Sequence, residues 1–204
     1  MRFMDLVDIL LSEQPSEKLR EKREELASLM PEFKRSFYCD QENIWHPYNV
    51  FEHTLRVVDG VSNNNLSLRL AALFHDVGKP YVKKNGEDGQ AHYYGHWNVS
   101  KEIFKKYKDN FYISSSAYGL VCDLIEYHDL SIKNDNVIKF MKTFSEDEMD
   151  LLFLLKKADI LAQNEEFIFD RLDDLEKQKD LYYATLDEHR NKIKGGSDYI
   201  QWTD

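Results

Sequence analysis

Six residues of the kind that binds divalent metal ions occur in a telling order along this chain: His53, the adjacent pair His75 and Asp76, then His96, His128 and Asp159. Imidazole nitrogen and carboxylate oxygen are good ligands for borderline and hard divalent cations. The pair ends the apolar run Leu70-Ala71-Ala72-Leu73-Phe74. Neither side chain belongs there unless a partner satisfies it, and one ion would satisfy both. His53, the His75-Asp76 pair and Asp159 could each come from a different helix of a bundle and leave coordination positions open to water, whose pKa a bound ion lowers. His96 and His128 could hold a second ion bridged through Asp76, or pass a proton to a leaving group. The order is compatible with a mononuclear or a dinuclear centre.

Each residue taken singly also has a plainer role. His53 could be a core or rim histidine, and His75-Asp76 a hydrogen-bonded pair at a helix end. Asp159 could pair with Lys156 or Lys157, and His128 with Asp129. His46 and His92 lie in aromatic stretches and read as structural. Six independent coincidences in this order are less plausible than one shared site. Lys79, after the small Gly78, could reach an anionic group above a metal or be an ordinary exposed lysine. Arg56, near His53, could touch phosphate, although an ion pair is the better expectation.

The elements that must position these residues read as helices. The chain has only four prolines and eight glycines, and helical periodicity dominates, so the fold class is all-α. Short and longer helices are expected at Asp5–Leu11 and Ser16–Met30, followed by an ordered connection over 31–48. Val50–Val61 places Val50, His53 and Val57 on one face, and the polar run from Ser62 to Asn65 ends it. Leu66–Phe74 is apolar nearly all round and therefore central. Residues 81–91 read as a turn-rich polar loop. Helices follow at Asn98–Tyr107 and Ser114–Tyr127. A capping box, Ser145-Glu146-Asp147-Glu148, starts a long helix with Met149, Leu152, Leu155 and Asp159 on one side. The segment from Lys192 to Asp204 reads as a final turn or loop. No repeat or linker divides the chain, so residues 1–204 form one domain: N-terminal helices over 5–30, a core over about 45–165 and a C-terminal helical extension over 166–204.

The 204 residues carry a net charge of −10, with 31% charged and 13% aromatic side chains, enough for one domain with a real core. That acidity argues against tight non-specific nucleic-acid binding. The clusters Lys101, Lys105, Lys106, Lys108 and Lys156, Lys157 read as solvated helix faces. No apolar run spans a bilayer, and the first residues lack the pattern of a signal peptide. Cys39 and Cys122 form no CxxC and read as reduced, buried thiols of a cytoplasmic protein.

The run His53…His75-Asp76-Val77-Gly78-Lys79…Asp159 resembles the HD superfamily of metal-dependent phosphohydrolases. Asn49-Val50-Phe51-Glu52-His53-Thr54-Leu55 and Ala91-His92-Tyr93-Tyr94-Gly95-His96 look like the HD domain of bacterial CCA-adding tRNA nucleotidyltransferases. The resemblance spans roughly residues 5–165. It implies a single-domain HD-type helical bundle, with His53, His75, Asp76 and Asp159 as primary metal ligands and His96 and His128 in the positions of a second metal. Catalysis would rest on Asp76, Lys79, His96 and His128. The cofactor would be one or two divalent ions, with Mn, Ni, Co, Mg, Fe or Zn all acceptable. The implied reaction is hydrolysis of a phosphomonoester or phosphodiester, a nucleotide or RNA end, by attack of a metal-bound water. The alternative is a non-catalytic, metal-stabilised module that binds nucleotide or RNA. The expected partner is a small phosphorylated substrate, with no membrane; the sequence leaves the oligomeric state open. Two departures from that branch stand out. No Gly-Ser turn followed by an Asp-x-Asp pair lies upstream, so the chain is not expected to add nucleotides by itself. Trp97 follows His96 where the branch carries an acid.

Overall fold

In the computed structural model the described residues are 1–62 and 64–194. The expected loop after 194 lies outside them. Helices α1 (Phe3–Leu10), α2 (Pro15–Glu21) and α3 (Arg23–Leu29) open the chain, and a 3₁₀ segment, Pro31–Tyr38, follows. The single helix expected over Ser16–Met30 is therefore two. The break is one residue, Lys22, whose φ/ψ of −99/19 leaves the helical basin. The bonds from Lys22 N to Lys18 O and from Leu26 N to Lys22 O persist. The kink needs neither glycine nor proline, so composition gave no sign of it.

Next come α4 (Val50–Gly60) and α5 (Leu66–Phe74), each opened by an asparagine whose side chain accepts a backbone N–H, Asn49 from Glu52 and Asn65 from Leu68. Every residue from Leu68 to Phe74 is buried, as an all-round apolar helix requires. Helix α5 is the central rod. Phe74 meets Phe33, Phe104 and Phe111 edge-on, with ring centroids 5.3, 5.2 and 6.1 Å apart. After α5 the chain forms the single turn α6 (Lys79–Val82) and a hairpin of β1 (Lys84–Asn85) and β2 (Ala91–His92), paired Lys84 with His92. The polar loop expected over 81–91 is thus a small antiparallel ribbon. Two-residue strands are too short for periodicity to reveal.

The remaining helices are α7 (His96–Lys106), α8 (Ser115–Tyr127), α9 (Val137–Thr143), α10 (Glu146–Leu161) and α11 (Glu165–Lys194). Helix α7 begins two residues before the expected start, because Gly95 adopts φ +79 and turns the chain directly into it. The capping box at Ser145 is present, with its side chain accepting from Glu148 N and the Glu148 carboxylate accepting from Ser145 N. Helix α9 was not anticipated. Residues 192–194 are helical rather than loop. The all-α class holds, with the hairpin as the sole sheet among the described residues. No described helix is long and apolar enough to cross a membrane.

Candidate metal centre

All six expected ligands converge. His53 comes from the first turn of α4, His75 caps the C-terminus of α5, and Asp76 is the next residue. His96 is the first residue of α7, His128 caps the C-terminus of α8, and Asp159 lies in the last turn of α10. The negative C-terminal ends of α5, α8 and α10 approach one point, which favours a cation there, while α7 presents its N-terminus to it. All six side chains are buried.

The hydrogen bonds fix which nitrogen each imidazole offers. The Nδ1 atoms of His75, His96 and His128 each lie within 2.9 Å of the carbonyl three residues back, those of Ala72, Tyr93 and Ile125. His53 Nδ1 reaches Ala162 O at 3.3 Å. A carbonyl accepts only, so each Nδ1 carries the proton and each Nε2 presents a lone pair to the centre. Those lone pairs crowd one another. His53 and His75 Nε2 are 3.4 Å apart, and His96 and His128 Nε2 are 3.2 Å apart. Asp76 stands between the two pairs. Its Oδ2 lies 3.4 and 3.2 Å from His53 and His75, and its Oδ1 lies 3.2 and 3.7 Å from His96 and His128. Asp159 Oδ1 approaches His53 Nε2 to 2.9 Å and His75 Nε2 to 3.9 Å.

This arrangement fits divalent metal. Neither oxygen of the buried Asp76 receives a well-formed hydrogen bond, although Lys79 Nζ is 2.7 Å from Oδ2. Lone pairs of imidazoles and carboxylates face each other with nothing neutral that could satisfy both. Two ligand sets could hold an ion, His53 with His75 and Asp159, and His75 with Asp76 and His128.

Without metal, charge must do the same work. Burial opposes ionisation of Asp76, but His75 and Lys79 outweigh it and hold the carboxyl well below the usual range. Asp159 is likewise held low, against burial, by His53 and His75. Burial pushes His75 down, yet Asp76 wins and its pKa is raised. Burial lowers that of His128.

Lys79 is not an exposed lysine. It is buried, with its ammonium between Asp76 and Gln41, donating to Gln41 Oε1 at 2.9 Å. Gly78 serves by lacking a side chain rather than by turning. Its φ is an ordinary −78, and it packs against the start of α7. Other readings of nearby residues do not hold. Among the described residues Arg56 makes neither an ion pair nor a contact in the centre, and its guanidinium lies 3.9 Å from the centroid of the Tyr48 ring. His128 turns away from Asp129 into the cluster. Lys156 is not part of a solvated face and does not pair with Asp159. It is buried and donates to His128 O and Leu130 O at 2.8 and 2.9 Å, closing the C-terminal end of α8.

Burial lowers the Lys156 pKa from 10.5 to about 8. A lysine held below its unfolded value penalises the fold when charged. Its contribution to stability therefore rises between pH 8 and 10.5, by at most roughly 3 kcal/mol. Denaturation of wild type and Lys156→Met across that range should show the wild type gaining on the variant as pH rises. Parallel curves would contradict the burial argument.

The centre opens into a cleft of two adjoining lobes, about 210 and 300 Å³, which share Trp45, His128, Asp129, Asp159 and Arg171. Several of its residues carry no sequence signal. Gln41 holds Lys79, and Gln163 Nε2 lies 3.4 Å from Asp159 Oδ2. Trp45 is docked by Asn164 N donating to its carbonyl at 2.8 Å, and the Arg171 guanidinium lies 5.7 Å from the centroid of its ring. His46, read as structural, lies outside the ligand clusters but packs edge-on against His53 at 4.8 Å. Burial lowers its pKa to about 2, so it is neutral, and its Nδ1 has no partner. His92 bonds Asp88 at 3.1 Å, away from the metal ligands.

Comparison with known proteins places this centre in context. Over 84 residues the chain is 37% identical to the multifunctional CCA protein of Shewanella frigidimarina (strain NCIMB 400). That match covers 40% of this chain and 20% of the relative's length. The model of the HD domain family matches residues 44–181, more than half of the chain and every one of the six convergent residues. The chain belongs to the HD domain family, within the superfamily of metal-dependent phosphohydrolases.

Proposed function

We propose that this protein hydrolyses phosphomonoesters or phosphodiesters of nucleotide or RNA-end type at a centre of two divalent ions. One observation carries the reading. Four imidazole Nε2 atoms converge on a buried carboxylate whose two oxygens lack well-formed hydrogen bonds and face opposite histidine pairs. His53, His75, Asp76 and Asp159 would hold one ion, and Asp76, His96 and His128 the other. Divalent ions so bound supply Lewis acidity and an activated water.

The chain's own residues do the rest. The four Nδ1–H bonds to carbonyls keep the imidazoles in the ligating tautomer. Lys79 donates to Gln41, forms an ion pair with Asp76 and lines the cleft, so its ammonium keeps donor capacity to hold a phosphoryl oxygen as negative charge develops. Arg171 lines both lobes and supplies a planar donor fork for the phosphate of the bound substrate.

The test is a panel of p-nitrophenyl phosphate, bis-p-nitrophenyl phosphate and 2′,3′-cyclic nucleotides with Mn²⁺-loaded protein. Turnover that vanishes with chelator is the expected result. Fully loaded protein inert towards the whole panel would overturn the enzyme reading and leave a metal-stabilised binding module. If Lys79 acts on the reacting phosphoryl group, Lys79→Met should lower kcat by about 10²-fold with metal content retained. An unchanged kcat would remove Lys79 from the reaction.

A further inference from the structure

Beside the metal cleft lies a second cavity of about 370 Å³. Tyr94, Trp97 and Asp129 line both, so the two are contiguous. Tyr127 and Leu130 add apolar surface to the second cavity. Trp97 packs edge-on against the ring of His96, with centroids 5.3 Å apart, and Asp129 follows His128 in the chain. The annex therefore begins where the proposed second ion site ends.

Its most unusual member is Tyr94, which is 77% exposed. One face of its ring is stacked on His92, with centroids 5.4 Å apart and planes 6° from parallel. His92 is itself held by Asp88 and by the hairpin. Most of the rest of the side chain is open to solvent. A ring held flat on one side and otherwise largely open is a platform for another flat ring. Of the acidic and basic side chains lining the annex, Glu126 is committed to Lys101 and the Lys139 ammonium lies over the Tyr127 ring, 4.8 Å from its centroid. The carboxylate of Asp129, where the annex meets the metal cleft, is suited to accept an N–H donor.

We infer that the Tyr94–Trp97 annex binds a planar aromatic ring on the alcohol side of the phosphoester, with Asp129 accepting from an amino edge where the ring has one. The annex thereby becomes the subsite for the base, or another aryl group, of the phosphoester. This rests on the phosphoesterase reading above.

The experiment measures kcat/KM of Mn²⁺-loaded protein for adenosine 5′-monophosphate, ribose 5-phosphate and p-nitrophenyl phosphate, in wild type, Tyr94→Ala and Tyr94→Phe. Wild type should prefer the adenosine ester over the ribose ester by about tenfold or more, through KM. Tyr94→Ala should bring that ratio towards one, and Tyr94→Phe should retain it. Tyr94 dependence shared by p-nitrophenyl phosphate identifies ring-face recognition of any aryl group. Dependence confined to the adenosine ester identifies a nucleobase site. A wild-type ratio near one, or a proportional fall for both esters in Tyr94→Ala, overturns the inference. Calorimetry with adenosine separates this from the hydrolysis reading. Adenosine bound by wild type and about tenfold more weakly by Tyr94→Ala sustains the annex even if no ester is cleaved, whereas no binding to wild type removes it.

Discussion

Asp76→Ala is expected to strip the protein of tightly held divalent metal, to lower phosphoester turnover by about 10³-fold or more, and to destabilise the metal-free fold. The first two effects follow from position. Asp76 is the one carboxylate placed between both histidine pairs, within 3.7 Å of all four Nε2 atoms. Its loss removes a ligand from each proposed ion. The third follows from Lys79, which is buried beside Asp76 and would keep only Gln41 as a partner. Leaving a buried cation without its counter-charge costs about 3–5 kcal/mol. The sign with pH is fixed. The Asp76 pKa is depressed in the fold, so its contribution is present above the ordinary carboxylate value of about 3.9 and is lost as pH falls through the depressed one. Chemical denaturation in chelator at pH 7 should therefore show the full deficit. Asp159→Ala is the comparison. It should also weaken metal binding but leave Lys79 paired, so its metal-free form should lie closer to wild type. Equal stability of Asp76→Ala and wild type in chelator would refute the pairing argument, and retained metal would refute the ligand role.

Gly78→Ala should damage the same centre without touching a ligand. A methyl on Gly78 would lie 2.3 Å from the carbonyl oxygen of His96, 2.7 Å from Ser100 N and 2.9 Å from Ser100 Oγ. The first two are backbone atoms of α7, so the start of the helix must retreat. Overpacking of this kind costs about 1–3 kcal/mol. The retreat carries His96 away from His128 and Asp76, and a displacement of about 1 Å is enough to lower turnover about 10²-fold. Metal held by the His96 and His128 side should fall while the side built from His53, His75 and Asp159 is retained. Gly95→Ala supplies the contrast. Gly95 has φ +79, which strains any other residue, but nothing lies within 4 Å of an added Cβ. It should cost about 1–2 kcal/mol and keep its metal. Elemental analysis and thermal melts of both variants check the pair. Full metal content in Gly78→Ala would show that α7 yields without moving His96.

What the sequence made legible was the part that depends on local order. Helical period located α4, α5, α8 and α10, and the ligands stand at positions those helices define: His53 inside an amphipathic face, His75 and His128 just past apolar runs, and Asp159 on a buried stripe. Distant pairings were not legible. Lys79 is buried because Gln41, 38 positions earlier, meets its ammonium, and no local pattern encodes that. Lys156 reads in sequence as one more charge on a helix face, because its partners at the end of α8 lie 28 and 26 positions away. Arg171 and Trp45 share the cleft only because α11 returns beside the loop before α4. The purpose of Gly78 was not legible for a similar reason: it is small because another helix arrives there.

In the proposed centre Asp76 would serve two ions, one on each histidine pair. Anomalous diffraction from a crystal of the intact chain grown with Mn²⁺ tests it most directly. The expected map holds two peaks flanking the Asp76 carboxylate, one beside His53, His75 and Asp159 and one beside His96 and His128. A single peak bound without Asp76, or none among these six residues, would contradict the account.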